Sequence, residues 1–569
     1  MKIKLLKNFS LSVLLLFCSA VSANESTVTL YGIFETAVYS DKEYSNPFDY
    51  TEISFSAEFT SPDQELFKVS GFYDGHDTHG KDIWKIRFMP HEPGIWQYTV
   101  KNNAGYTVQT GKFTVVEQTA HPGNHGHVKV DAKNPRFLIH DDGTPHYWIG
   151  GKWISARDYG PESKAGQVNK GFDSRVNLTY GHKTDQQLID YLDQLVQYKH
   201  NGILLKIAQY PLESNRLSWD LDWIRRGEWL VKEALKRGIY VQINLFDTWS
   251  RDQSDYFRHN MQGAGQLFDV WNDGDDKLKQ NYLRYIISRF ASFANVYWEL
   301  GNEMEHSPNC GSCFVKLAND KYLPWIRQFD PYKLPIGLSE GIWRDTSADI
   351  GFLHQTHKLP DESMQRPVIM NELVGYRLNQ SLFQKAWRKM LKVWGKLSGK
   401  SMYPGLWHDD AINNKDLRFS YRRTFWKVFT HGGSGSSEAT WLNIENDFSV
   451  NVINVMSDHM HLSDLIQELL PELNMMKPVQ GFITTNLPNE TISTRGNENV
   501  YVSYFDAGVD QKVDQGTINL PLLKGSYKAI WLNPSTGKIL LEINNTQDNN
   551  QKVMRPSYTE DIVLLLKKQ

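Results

Sequence analysis

Apolar and polar side chains alternate in short runs between about residues 27 and 118. Val28-Thr-Leu-Tyr31, Glu52-Ile-Ser-Phe-Ser-Ala-Glu-Phe59, Trp84-Lys-Ile-Arg-Phe88 and Trp96-Gln-Tyr-Thr-Val100 follow a period of two. Breakers such as Ser61-Pro-Asp63, Pro90-His-Glu-Pro-Gly94 and Asn102-Asn-Ala-Gly105 separate them. Such runs bury one face and wet the other, which predicts an antiparallel β-sandwich of about 90 residues.

From about residue 121 to 476 the rhythm changes to apolar strand, amphipathic helix, apolar strand. Eight strand candidates occur, at 147–150, 203–208, 240–245, 296–300, 335–338, 351–355, 368–371 and 435–441. Helical periodicity lies between most of them, at 186–198, 221–237, 281–293, 382–397 and 421–430. Repeated strand–helix units over about 350 residues predict a (β/α)8 barrel. The long spans before Gly202 and around 249–279 read as loops over its top face. A further helical run at 459–473 leads into renewed alternation from Gly481 onward, in Val500-Tyr-Val-Ser-Tyr-Phe505, Ser526-Tyr-Lys-Ala-Ile-Trp531 and Asp561-Ile-Val-Leu-Leu-Leu566. That segment predicts a second β-sandwich.

A chain of 569 residues, 40% apolar and 22% charged, suits a soluble multidomain protein. At the start, Lys2, Lys4 and Lys7 precede an apolar run at 11–17, and Val21-Ser-Ala23 offers small residues for cleavage, the layout of a signal peptide. The run is far shorter than the roughly 20 residues needed to span a bilayer, and Phe17 ahead of Cys18 argues against lipidation. Cleavage removes three lysines and no acid, taking the formal charge from −3 to −6. No basic tail suggests nucleic acid as a partner, and no later run predicts a membrane span. Cys310 and Cys313 read most simply as a small-loop disulfide in an oxidising compartment; a zinc site would need two further ligands nearby, so neither metal nor cofactor is expected. Eighteen Trp, 27 Tyr and 27 Phe fill β-rich cores, and they are also the residues that cover the C–H faces of sugar rings.

Barrels of this kind carry their chemistry at the C-terminal ends of the strands. Two of the predicted strands end in Asn-Glu, the fourth at Asn302-Glu303 and the seventh at Asn371-Glu372. Strands four and seven face each other across the barrel mouth. Two carboxyl groups about 5 Å apart on either side of a glycosidic bond imply double displacement with retained anomeric configuration. Either glutamate alone is as readily a helix cap or a surface ion pair; the pair at two productive positions is more specific.

Trp298-Glu-Leu-Gly-Asn-Glu303 resembles the fourth-strand motif of clan A glycoside hydrolases, and Arg366-Pro-Val-Ile-Met-Asn-Glu372 resembles their seventh-strand nucleophile motif. A sandwich followed by such a barrel is similar to a group of bacterial polysaccharide-degrading enzymes. The resemblance implies that Glu303 is the acid/base, Glu372 the nucleophile, and Asn302 a hydrogen-bond partner of the sugar 2-hydroxyl. Glu438, on the eighth predicted strand, is the rival carboxylate if the strand count slips by one; otherwise it is a candidate to bind a substrate hydroxyl. The division expected is a signal peptide at 1–23, an immunoglobulin-like β-sandwich at 24–118, the catalytic barrel at 119–476 and a C-terminal β-sandwich at 477–569.

His354, ending strand six, is a candidate to orient Glu372, or a satisfied barrel histidine. Trp441 resembles the clan's platform beneath the sugar at the cleavage point, or is a core tryptophan. Trp153, Trp249, Trp343, Trp407 and His408 fall in expected top-face loops, some to meet sugar and the others to pack. Lys152 and Lys206 lie in or beside strands, where a lysine is costly unless paired or solvated. They read either as partners of Asp247 or Glu299, or as receptors for a sulfate or carboxylate on the sugar, with Arg251, Arg344 or Arg377 nearby. The expected substrate is a β-linked polysaccharide or its oligosaccharides, with a sulfated algal galactan such as carrageenan or agar one candidate and neutral plant β-glycans another. Two alternatives of other classes stay open: a noncatalytic carbohydrate-binding protein on a decayed barrel, and a metal-dependent barrel hydrolase, for which no His/Asp cluster is apparent.

Overall fold

Phe55, Ala57 and Phe59 are buried along one strand while the residues between them are partly exposed, the pattern of a sheet with one face in a core. In this computed structural model the residues described are 26–121, 123–155, 178–179, 184–206, 221–246, 276–301, 304, 313–339, 342–354, 359–360, 364–373, 415–437, 450–484, 487, 490–546 and 552–569. The expected signal peptide and the predicted helix at 382–397 lie outside them. So do Cys310 and the side chain of Cys313.

The N-terminal region is a sandwich of two sheets. Ser26–Leu30, Thr107–Thr119, Gly94–Asn102, Phe55–Thr60 and Leu66–Ser70 lie side by side in that order, and Phe34–Ser40, Asp82–Phe88 and Phe72–His76 form the second sheet. The aromatics counted in the sequence meet between them, with Phe34 stacked on Phe113 at 4.0 Å and Phe59 on Phe88 at 4.3 Å. One departure from the antiparallel expectation is the first strand, which pairs parallel with Thr107–Thr119. Alternation reports which face is buried and is blind to strand direction, so this pairing was not legible in the period.

Buried charges join this sandwich to the barrel. Arg87 Nη2 lies 2.8 Å from Glu228, its Nη1 donates to the Arg289 carbonyl at 3.1 Å, and Arg289 reaches Asp74 and Glu228, both at 2.9 Å. Burial raises the pKa of Glu228, but Arg87 and Arg289 outweigh it and hold the carboxyl down at about 2. The two guanidinium groups also sit over the Phe72 ring.

The barrel strands are β1 (Ile149–Ser155), β2 (Gly202–Lys206), β3 (Tyr240–Asn244), β4 (Val296–Glu299), β5 (Ile336–Leu338), β6 (Ile350–His354), β7 (Val368–Leu373) and β8 (Ser434–Ser437). Each pairs parallel with the next, and Ile149↔Gly435 with Gly150↔Ser436 closes the ring, giving the eight-stranded barrel expected. Around it stand α1 (Asp185–Gln197), α2 (Leu221–Leu235), α3 (Asp276–Phe290), α4 (Lys415–Thr430) and α5 (Val450–Leu469). Thr184 and Gln187 form a reciprocal capping box that starts α1. Three helices begin earlier than expected, α3 and α4 by largely polar first turns and α5 by nine residues of mixed apolar and polar character, where weak amphipathicity hid the start.

Strand alternation divides the barrel side chains into two sets. Val241, Ile243, Val296, Trp298, Ile336, Leu338, Val368 and Met370 pack outward in the large core shared with the helices. Leu204, Tyr240, Tyr297, Ile350, Phe352 and Ile369 form a separate inner cluster with Val128, Leu138 and Trp148. The last three come from a segment that the periodicity had merged with the barrel. It holds a small sheet of Val128–Val130, Leu138–His140 and Pro145–His146, which plugs the bottom of the barrel. A second detail differs from expectation: in the span read as a loop, Leu178–Thr179 pairs with the end of β1.

The C-terminal region is a six-stranded sheet, ordered Lys477–Pro478, Thr491–Gly496, Val500–Asp506, Asp561–Lys568, Tyr527–Leu532, Ile539–Ile543, with two short two-stranded ribbons over it. It is fastened to α4, where Arg422 makes two 2.9 Å contacts to Asp561 and Arg423 one of 2.5 Å to Asp506. Among the described residues no helix is long and apolar enough to cross a membrane.

Candidate active site

Moving up each strand by two residues from the apolar inner cluster leads to polar side chains that face the same way. Tyr240 is followed by Gln242 and Asn244 on β3, Tyr297 by Glu299 on β4, and Ile369 by Asn371 on β7. These four polar residues converge. Gln242 Nε2 and Asn244 Nδ2 donate to Glu299 Oε2 at 3.1 and 3.0 Å, and Asn371 Nδ2 faces Oε1 at 3.4 Å. Glu299 and Gln242 have no exposed surface.

The Tyr297 hydroxyl donates to Gln242 Oε1 at 3.2 Å, and the nitrogen of the same amide faces Glu299. Amide donors facing both oxygens of Glu299 are the arrangement that suits a carboxylate. Burial, and secondarily the charge on Glu299, push the Tyr297 phenol well above its ordinary pKa and keep it a donor.

Just above Glu299 the chain is pinned on both sides of positions 302 and 303. Leu300 N donates to the Gly337 carbonyl at 2.8 Å, and Met304 N donates to Ser339 Oγ, at the end of β5, at 3.2 Å. Met304 is fully buried over Gly301, where a Cβ would come within 2.4 Å of Met304 Cγ, so any larger residue at 301 would displace the methionine side chain. Asn302 and Glu303 themselves lie outside the described residues.

On β7 the ladder carries an extra residue. Leu353 pairs with Met370, but the next residue on β6, His354, pairs with Glu372. The register also slips against β8, from Met370↔Gly435 to Leu373↔Ser437. A bulge at 371–372 therefore resets the alternation, and position 372 becomes level with 354, which shares the parity of the inner residues Ile350 and Phe352. The strand positions of His354, Glu372, Lys152, Trp153 and Lys206 are described, and their side chains are not. Trp407, His408, Glu438, Trp441 and Trp249 lie outside the described residues.

Trp343 belongs to the packing group. It is buried in a turn at Trp343–Asp345, lies against Gly351, and its carbonyl accepts from Arg366. Arg344 covers its ring at 4.8 Å. Gln242, Asn244 and Asn371 form a connected set that the sequence does not predict. The signal was available in their shared inward parity, but convergence on one carboxylate requires the closed barrel. Among the described residues no cluster of three or more metal-ligating side chains occurs.

Comparison with known proteins agrees with this architecture. Residues 165–358 match the model of the cellulase family (glycosyl hydrolase family 5), and residues 27–103 match a domain of unknown function, DUF5060. A candidate glycoside hydrolase of Bacteroides vulgatus shares the fold at a TM-score of 0.63 with 16% identity, over 96% of this chain and 100% of that one. A glycoside hydrolase family 5 structure from the same organism aligns at 0.50 with 13% identity, over 79% of this chain and 95% of that one. A probable mannan endo-1,4-beta-mannosidase A of Aspergillus clavatus is 28% identical over 132 residues, 22% of this chain. The chain spans about a third of the length of that curated relative (33%). Over residues 165–358 the barrel thus resembles the cellulase family of glycoside hydrolases.

Proposed function

We propose that the protein is an exported, retaining glycoside hydrolase that cleaves β-linked polysaccharides or their oligosaccharides. The observation that carries this reading is the coincidence of Asn302-Glu303 just beyond β4 and Asn371-Glu372 on β7, in a closed eight-stranded barrel whose residues 165–358 match the cellulase family. Glu372 attacks the anomeric carbon while Glu303 protonates the leaving oxygen. Glu303 then deprotonates the water that releases the sugar. The negative charge of Glu372 raises the pKa of Glu303 until the covalent glycosyl-enzyme forms and that charge is consumed. The bulge supports the role of Glu372, since it gives position 372 the inward parity of the ladder. Asn302 binds the sugar 2-hydroxyl, and Trp441 is the platform beneath the ring.

For the substrate, the similarity to a mannosidase supports a neutral β-mannan. Lys152 and Lys206 on β1 and β2 support a second reading, an anionic galactan such as carrageenan or agar. Product analysis on mannan, glucan, galactan and carrageenan oligosaccharides separates the two. Export follows from the N-terminal run, and sequencing of the mature protein is expected to begin at Asn24.

Two variants test the mechanism. Glu372→Ala abolishes turnover, and added azide yields a glycosyl azide of inverted configuration. Glu303→Ala loses activity on natural oligosaccharides and retains it on aryl glycosides whose leaving group needs no proton. Near-normal turnover of a natural oligosaccharide by either variant overturns that assignment.

A further inference from the structure

The mechanism above uses two carboxylates, and the barrel holds a third that it leaves without a task. Glu299 is completely buried, four residues before Glu303, and a fully desolvated carboxylate is costly unless its oxygens are met by donors. They are met from two strands: β3 supplies Gln242 and Asn244, and β7 supplies Asn371. Asn371 precedes the proposed nucleophile and stands at the bulge where the β7 register resets. Among the described residues its other amide atom, Oδ1, is buried and accepts no hydrogen bond, and the amide's one hydrogen bond is the contact to Glu299.

We propose that Glu299 is a positioning residue: as a buried anion it clamps Asn371 by its amide and thereby fixes the bulge on which Glu372 follows. This rests on the assignment of Glu372 as nucleophile. The clamp sets the nucleophile against the fourth strand, which carries the acid/base, so that one carboxylate ties both halves of the site to a common floor. Its charge also lies under the site, where it favours the protonated form of Glu303 before the chemical step.

The test exchanges amide and carboxylate across the contact. Glu299→Gln is nearly isosteric but has one acceptor oxygen, and three donors among the described residues converge on the group. The less costly orientation leaves that oxygen to Gln242 and Asn244 and turns the new NH2 toward the Asn371 NH2, breaking the clamp. On whichever panel oligosaccharide the wild type cleaves fastest, kcat is expected to fall about 10- to 100-fold with KM nearly unchanged, the scale of a small misplacement of a reacting group. The basic limb of the pH profile moves to lower pH, because losing a nearby negative charge lowers the pKa of Glu303. Adding Asn371→Asp restores a donor–acceptor pair and the charge, so kcat recovers and the limb returns. Asn371→Ala, which cuts the clamp from the other side, shows the same kcat loss if Glu299→Gln folds poorly.

Unchanged kcat and pH profile in Glu299→Gln, or no recovery in a folded double variant, overturns the proposal. The two levels of the argument separate cleanly. Near-normal turnover by Glu372→Ala removes the nucleophile assignment itself, whereas a dead Glu372→Ala beside a fully active Glu299→Gln removes only the positioning role.

Discussion

Two layers of the same barrel, one step of two residues apart along each strand, have opposite characters. The lower is Tyr240, Tyr297, Phe352, Ile369 and Leu204 closed from beneath by Trp148, and it behaves as an ordinary apolar core. The upper is Gln242, Asn244, Glu299 and Asn371, a buried polar set that gains nothing from hydrophobic transfer and costs free energy wherever a donor or acceptor is left unmet. The difference teaches where stability gives way to chemistry. The positioning role proposed for Glu299 gives the upper layer a task that the apolar layer beneath it does not share.

Substitutions that separate the layers should therefore move different quantities. The largest effect belongs to the top of β7: Glu372→Ala is expected to lower kcat by roughly 10⁴-fold or more with little change in thermal stability. In the lower layer Phe352→Ala removes a fully buried ring and is expected to destabilise by about 3–5 kcal/mol, while kcat of the folded protein and its pH profile stay unchanged. A pH profile altered by Phe352→Ala would erase the distinction between the layers.

The lower layer has its own pH dependence. His140 bonds to the Tyr240 hydroxyl at 3.0 Å and to His146 at 3.2 Å. Burial, helped by nearby His125, lowers the pKa of His140 from 6.5 to about 4 despite Asp142 and Asp141. The unfolded chain then binds the proton more readily, so this contribution is present above pH 6.5 and is lost as pH falls from 6.5 to about 4. Unfolding free energy is expected to drop by about 3 kcal/mol through that window on account of this group, and His140→Gln flattens the slope. Glu228, with its carboxyl held down at about 2, contributes stability that persists above its ordinary 4.5 and is lost from there toward pH 2, a separate and more acidic step. Denaturant titrations across pH distinguish the two. The smallest effect is expected at the junction of the layers: Tyr297→Phe removes the donor to Gln242 and costs about 1 kcal/mol, with kcat nearly unaffected.

Much of this was legible from side-chain periods. Most of the barrel strands are legible as apolar runs, because a parallel strand buried on both faces reads as a continuous stretch of Val, Ile and Leu, whereas β8, Ser434–Ser437, contains none of these. Position 303 was locatable beyond β4 for the same reason. Other features depend on contacts between distant segments. The parallel pairing of Ser26–Leu30 leaves no mark in that strand's alternation, and the plug around Leu138 is built of two- and three-residue strands too short to show a period. The bulge at 371–372 is a mismatch between neighbouring ladders, invisible in β7 alone. Glu299 looked like a residue of a motif or a partner for lysine, and only the closed barrel brings Asn371, 72 residues away in sequence, to its carboxylate.

The central claim is that carboxylates at the ends of strands four and seven act together by double displacement. Proton NMR of the first product released from a β-linked oligosaccharide tests it most directly. The account predicts that the β-anomer appears first and then mutarotates to the equilibrium mixture. Initial release of the α-anomer would contradict it.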